Sequence, residues 1–75
     1  MKIFKITEQK TGTLLAEGVI YSDETSAIRL HGCRTPMLFQ MKFSETEAMK
    51  YVEDNSNKKA VFEMLPFVSA QGDKL

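Results

Sequence analysis

The 75-residue sequence has no tryptophan, one cysteine and one histidine. A single cysteine, Cys33, cannot form a disulfide within the chain. One histidine and one cysteine also fall short of the paired ligand spacings that a zinc site needs. We therefore expect no structural metal and no cofactor, and a chain that folds in a reducing compartment such as the cytoplasm.

Neither sign of charge is in excess, since ten Lys and Arg balance ten Asp and Glu. Without net charge, no long-range field attracts the chain to nucleic acid or to anionic lipid. Apolar runs are short as well, and none approaches the roughly 18 residues that a membrane helix needs. Lysines interrupt residues 1–6, unlike the apolar stretch of a signal peptide. We expect no export signal and no membrane partner.

Hydrophobic residues make up 43% and charged residues 27% of the sequence, which is typical of a globular chain. A domain of this size buries only roughly 60% of the surface that its unfolded form exposes, so the core is thin. We interpret residues 1–68 as one α+β domain. The small and polar residues 69–75 are expected to form a flexible tail.

Alternating apolar and polar side chains predict strands at residues 2–8, 14–21, 26–31, 37–43 and 59–65. The second of these is apolar on both faces, which is typical of a central strand. Gly18 within it indicates a bulge or a close backbone approach. Gly12 and Asp23 mark the first two turns. With one helix before the last strand, the order is β-β-β-β-α-β, a small antiparallel sheet packed by one helix.

Strands three and four are predicted to pair as a hairpin with their apolar side chains on one face. Opposing Arg29 to Gln40, and therefore Ile28 to Met41, satisfies that condition. The apolar sets are Ile28 and Leu30 on one strand and Met37, Phe39, Met41 and Phe43 on the other, with Phe62 and Met64 on the last strand also inward.

The segment after Ser44 is predicted to be a helix, because Ser44 and Glu47 have the spacing of a capping box. Residues 55–57 are expected to end it. The inward side chains would be Ala48, Met49 and Val52, and those facing water Glu45, Glu47, Lys50 and Glu53.

The stretch from Gly18 to Arg29 runs Gly-Val-Ile-Tyr-Ser-Asp-Glu-Thr-Ser-Ala-Ile-Arg, and residues 41–47 run Met-Lys-Phe-Ser-Glu-Thr-Glu. Over residues 18–64 this pattern resembles a group of small uncharacterised phage and prophage proteins. It departs from them at Glu24 and Leu30, where members often carry Gly and Trp. The resemblance implies a phage or mobile-element origin, and therefore the cytoplasm of a bacterial host. It also implies a meander followed by a helix, and it implies no activity.

Candidate catalytic groups are few. Cys33 lies two residues from His31, and a thiolate beside an imidazole is a known nucleophile, but no third orienting residue is evident. The interpretation of Cys33 as a small apolar side chain in a loop, with no reactive role, is better supported. The paired carboxylates lie in turns or on a solvated helix face, and no Gly-rich loop precedes a helix. We expect a protein that is not an enzyme.

Two surfaces are candidates for binding. The first is polar and could hold a phosphate or an acidic partner, although antiparallel sheets commonly leave one face simply solvated. It comprises Arg29, His31, Arg34, Gln40 and Lys42. The second is apolar and favours homo-oligomerisation, unless its last two residues fold back onto the core. It comprises Leu38, Val61, Leu65, Phe67 and Val68.

Three functions follow as hypotheses. The leading one is a phage-encoded binding protein that modulates or inhibits a host protein. The second is an oligomer that sequesters a nucleotide or another small molecule between subunits. The third is binding of RNA or single-stranded DNA, which normally needs exposed aromatic rings, whereas Phe39 and Phe43 are predicted to point into the core.

Overall fold

A computed structural model describes residues 1–65 of the chain. The elements are β1 Lys2–Glu8, β2 Leu14–Ile20, β3 Ser26–Leu30, β4 Met37–Phe39, α1 Glu45–Ser56 and β5 Ala60–Met64. The predicted order and α+β class are confirmed. Residues 66–68 of the predicted domain and the predicted tail 69–75 lie outside the described residues.

The five strands form one antiparallel sheet in the order β4-β3-β2-β1-β5. β2 is therefore the middle strand, as its apolar residues on both faces predict. The chain runs as a meander through β1 to β4, and α1 then carries it back so that β5 pairs with β1. β4 and β5 are the two edges of the sheet.

The core lies between α1 and one face of the sheet, which we name the inner face. Phe4 and Ile6 of β1 are fully buried there, as are Ile28 of β3 and Val52 of α1. The Phe4 ring stacks on Phe62 with the ring centroids 4.9 Å apart. Burial of these aromatic and aliphatic side chains supplies most of the favourable free energy of folding.

Gly18 allows this packing because β2 passes directly over the ring of Phe4. A Cβ atom at Gly18 would lie 2.6 Å from the carbonyl oxygen of Ala27 and would overlap the Phe4 ring. The close approach predicted from Gly18 is thus present. The bulge lies elsewhere, where the register between Ile6 and Thr7 shifts relative to β2.

The two predicted turns are formed. Gly12 has φ +75°, which the first hairpin requires. In the second turn the hydroxyl and backbone N–H of Thr25 donate to Oδ1 of Asp23, at 2.6 and 3.0 Å. Both hydrogen bonds stabilise the ionised carboxylate and so lower the pKa of Asp23, and the bond from the hydroxyl has the larger effect.

α1 begins after Ser44 as predicted, and one of the two hydrogen bonds of the capping box is formed, in which Ser44 Oγ accepts from the N–H of Glu47 at 3.3 Å. Asn57 adopts the left-handed conformation at the C-terminal end, with φ 58°. The prediction that Glu53 faces water is wrong. Its carboxylate turns back and accepts from the N–H of Ala60 at 2.9 Å, which ties the end of α1 to the start of β5.

The predicted extent and register of strand four are wrong. β4 ends at Phe39, and Ile28 opposes Met37 instead of Met41. Because the shift is four residues, an even number, the same side chains stay on the inner face, so alternation cannot distinguish the two registers. After Phe39 the chain leaves the sheet, and the N–H of Phe43 donates to the carbonyl of Glu24 at 2.8 Å.

This departure from the ladder changes which side chains are inward. Phe43 points into the core as predicted, and the centroid of its ring lies 5.4 Å from that of the Phe4 ring. The inward prediction for Met41 is wrong, since the side chain is 79% exposed and residue 41 belongs to the turn towards α1 and not to a strand. Met64 faces inward at the edge strand but is still 42% exposed.

Candidate binding surfaces

Rows of side chains cross the strands on the face of the sheet opposite α1, which we name the outer face, and the two rows that span the most strands lie side by side. The charge row consists of Glu63, Lys5, Glu17 and Arg29, in order from β5 to β3. The apolar row beside it consists of Leu65, Ile3, Val19, Ala27 and Leu38.

The charge row alternates in sign, and each residue is the direct cross-strand neighbour of the next. Arg29 Nη2 donates to Glu17 Oε1 at 2.6 Å, and Lys5 Nζ lies 3.7 Å from Glu63 Oε1. All four side chains remain 40–57% exposed, so these pairs contribute little stability individually. Sequence reasoning places Arg29 outward but misses its neighbour Glu17, which only the strand register reveals.

A concavity of about 380 Å³ lies on the outer face above β2 and β3. The loop after β3 forms one wall through Arg34 and Pro36, and Arg29 and Tyr21 lie at other sides. The floor includes Val19 and Ala27 of the apolar row. Two of the five predicted polar binding residues, Arg29 and Arg34, are thus brought together.

The remaining predicted polar residues do not join them. His31 is exposed at the end of β3, where its backbone N–H donates to the backbone carbonyl of Leu15 at 2.8 Å. Gln40 lies beyond β4 instead of within it, and is exposed. Lys42 lies on the helix side of the sheet, with its Nζ 3.6 Å from Glu24 Oε1. The predicted patch is therefore divided between two surfaces.

The second surface is a cleft of about 330 Å³ between α1 and the segment around β4. Phe39, Phe43 and Ala48 line it with apolar side chains, and Met41 forms part of its rim. Seven large hydrophobic side chains are exposed among residues 1–65, and three of them, Met37, Leu38 and Met41, lie in this segment. We name this surface the methionine cleft. The sequence does not indicate this cleft, because its alternation wrongly places Met41 in the core.

The predicted apolar surface is also dispersed. Leu38 and Val61 are 57% and 43% exposed and lie on opposite edges of the sheet. Leu65 is half-buried beside Ile3, to whose carbonyl its N–H donates at 2.9 Å. Phe67 and Val68 lie outside the described residues, so their part in an interface stays a prediction.

Cys33 is an exposed free thiol in the loop after β3. Within residues 1–65, no group of three or more His, Cys, Asp and Glu side chains is placed to hold a metal ion. No helix in this part of the chain is long and apolar enough to cross a membrane.

Comparison with protein-family models, with curated proteins and with solved structures finds no match to this chain.

Proposed function

We propose that this chain is a non-enzymatic, phage-encoded binding protein that modulates a host protein, and that it binds its target at the methionine cleft. The observation that supports the proposal is the apolar cleft beside the edge strand β4. The host partner is proposed from the resemblance to phage proteins, and the binding surface from the cleft.

An edge strand beside an apolar cleft suits one known mode of recognition. β4 is paired to β3 on one side only, so half of its backbone groups have no strand partner within residues 1–65. An extended segment of a target protein can add to such an edge through backbone hydrogen bonds, while one of its side chains enters a neighbouring pocket. Met41 at the rim is unbranched and adapts to varied side chains.

Substitution of Met41 is the test of this proposal. A photo-crosslinking amino acid at position 41 should capture one host protein, and the same probe at Lys10, in the first hairpin turn, should not. With the captured protein purified, Met41→Lys should weaken binding about tenfold to a hundredfold, measured by calorimetry. That range follows from the loss of roughly 1.5–3 kcal/mol for one buried methionine.

Met64→Lys is the matched control, because Met64 is also a partly exposed methionine but lies on β5 at the other edge of the sheet. Both variants should retain the far-ultraviolet circular dichroism of the parent protein. Equal losses of affinity in the two variants, or equal crosslinking from positions 41 and 10, would contradict binding at the methionine cleft.

A second candidate function, nucleotide sequestration, is favoured by the position of Arg29 and Arg34 on one concavity beside the ring of Tyr21. It is the weaker candidate, because Arg29 is already hydrogen bonded to Glu17. It predicts that some nucleotide raises the melting temperature and that Arg34→Ala abolishes the rise. A panel of nucleoside mono-, di- and triphosphates that produces no rise would exclude it.

A further inference from the structure

We propose that the outer face of the sheet is the interface of a two-fold symmetric dimer of this chain. The helix lies on the inner face, and no helix or strand of residues 1–65 packs on the apolar row of the outer face, where only Ala27, beside the loop after β3, is buried. A sheet face of this kind is stabilised when a second sheet packs on it at about 10 Å. The order of charges on the face identifies that second sheet as another copy.

The two-fold axis of this dimer runs parallel to the strands, between the two sheets and between β1 and β2. It places β1 over β2 of the second copy and β5 over β3. Because the axis follows the strands, the apolar row meets the apolar row and the charge row meets the charge row. An isologous contact of this type closes on itself and cannot extend into a filament.

The charge row is complementary to itself under this operation. From β5 to β3 its signs are negative, positive, negative, positive, and the sequence of signs inverts when the row is reversed. Lys5 therefore meets Glu17 of the second copy, and Glu63 meets Arg29. A row in which Glu63 and Lys5 were exchanged, or one with an odd number of alternating charges, would bring like charges together. Such charge complementarity sets the orientation of an interface more than its strength.

The apolar row is complementary in size as well. The same axis places Ile3 opposite Val19 of the second copy, and Leu65 opposite Ala27. Ala27 forms part of the floor of the concavity beside Arg34 and Pro36, so a leucine side chain from the second copy has a recess to enter. A large side chain thus meets a small one, as close packing between two sheets requires.

Charge substitutions in the row test the dimer in the full-length chain. Sedimentation equilibrium should give a dimer for the parent protein. Lys5→Glu and Glu17→Lys should each weaken it about a hundredfold or more, because each variant makes two like-charged contacts across the interface. Lys10→Glu, the same change in the exposed first turn, should leave the dimer intact.

The double variant Lys5→Glu/Glu17→Lys separates assembly from folding. Its signs from β5 to β3 become negative, negative, positive, positive, which again invert on reversal, so the dimer should return. Within one chain, however, it places like charges beside Glu63 and Arg29 and breaks both existing pairs. An equal mixture of the two single variants should likewise form a heterodimer, detected by native mass spectrometry.

Two results would overturn the proposal. One is a parent protein that stays monomeric at every concentration, which would leave the outer face to residues 66–75 of the same chain or to a different protein. The other is a dimer whose strength does not change in Lys5→Glu. Neither result bears on the methionine cleft, whose test depends on Met41 at the β4 side of the inner face.

Discussion

Replacing Gly18 by alanine is expected to lower the melting temperature by about 4–24 °C. The added Cβ would lie 2.6 Å from the carbonyl oxygen of Ala27 and would overlap the ring of Phe4. The carbonyl belongs to the neighbouring strand and the ring to the centre of the core, so neither can move without disturbing the sheet. Overpacking of this kind costs about 1–3 kcal/mol, and each kcal/mol shifts the transition of so small a domain by roughly 4–8 °C.

Gly12→Ala separates this effect from the general cost of replacing a glycine. Gly12 has φ +75°, but no atom lies within 4 Å of the position that a Cβ would take there, so the substitution adds backbone strain of only about 1 kcal/mol and no collision. Thermal denaturation at one fixed protein concentration measures both, since dimer formation would make the midpoint depend on concentration. A smaller loss in Gly18→Ala than in Gly12→Ala would contradict the close approach of β2 to Phe4.

The sequence predicts the fold well because its local signals agree with one another. Gly12, Asp23 and the Ser44 cap each fix the boundary of an element through short-range hydrogen bonds or backbone conformation. The alternation within each strand then decides which side chains face the helix. Features that depend on residues close in the chain are therefore recoverable from the sequence alone.

The errors arise where long-range contacts decide. The alternation from Met37 to Phe43 continues past the end of β4, and only the bond from Phe43 N–H to the Glu24 carbonyl shows that the chain has left the sheet. Glu53 has the spacing of a solvated helix residue, yet its carboxylate accepts the N–H of Ala60, which lies at the start of the next strand. Neither partner can be identified from the sequence before the tertiary fold is known.

The binding surfaces are harder to predict than the core, for a related reason. A core residue is identified by its own apolar character, whereas the charge row exists only because β5, β1, β2 and β3 are in a particular register. Arg29 and Arg34 meet because the loop after β3 folds over the outer face. The sequence supplies the residues of a site, and register and loop conformation decide which of them are neighbours.

The other large effect is expected for Phe4→Ala, which should lower the free energy of unfolding at 25 °C to about 0–2 kcal/mol. Phe4 is fully buried, and its ring contacts those of Phe62 and Phe43 as well as the backbone at Gly18. Truncation of a buried phenylalanine costs about 3–5 kcal/mol. A domain of this length has a free energy of unfolding near the lower end of the usual range, roughly 5 kcal/mol, so little would remain.

Phe39→Ala is the matched control, because it removes the same atoms from a ring at the edge of the core. Phe39 is half-buried, and its ring packs edge to face against that of Tyr51 with the centroids 5.4 Å apart. Its loss should lower the free energy of unfolding by about 1–2 kcal/mol and leave a folded protein. Urea denaturation followed by circular dichroism compares the two. A Phe4→Ala variant as stable as Phe39→Ala would mean that the aromatic cluster under Gly18 is not the centre of the core. The Gly18 prediction would then fail with it, since both depend on that one contact.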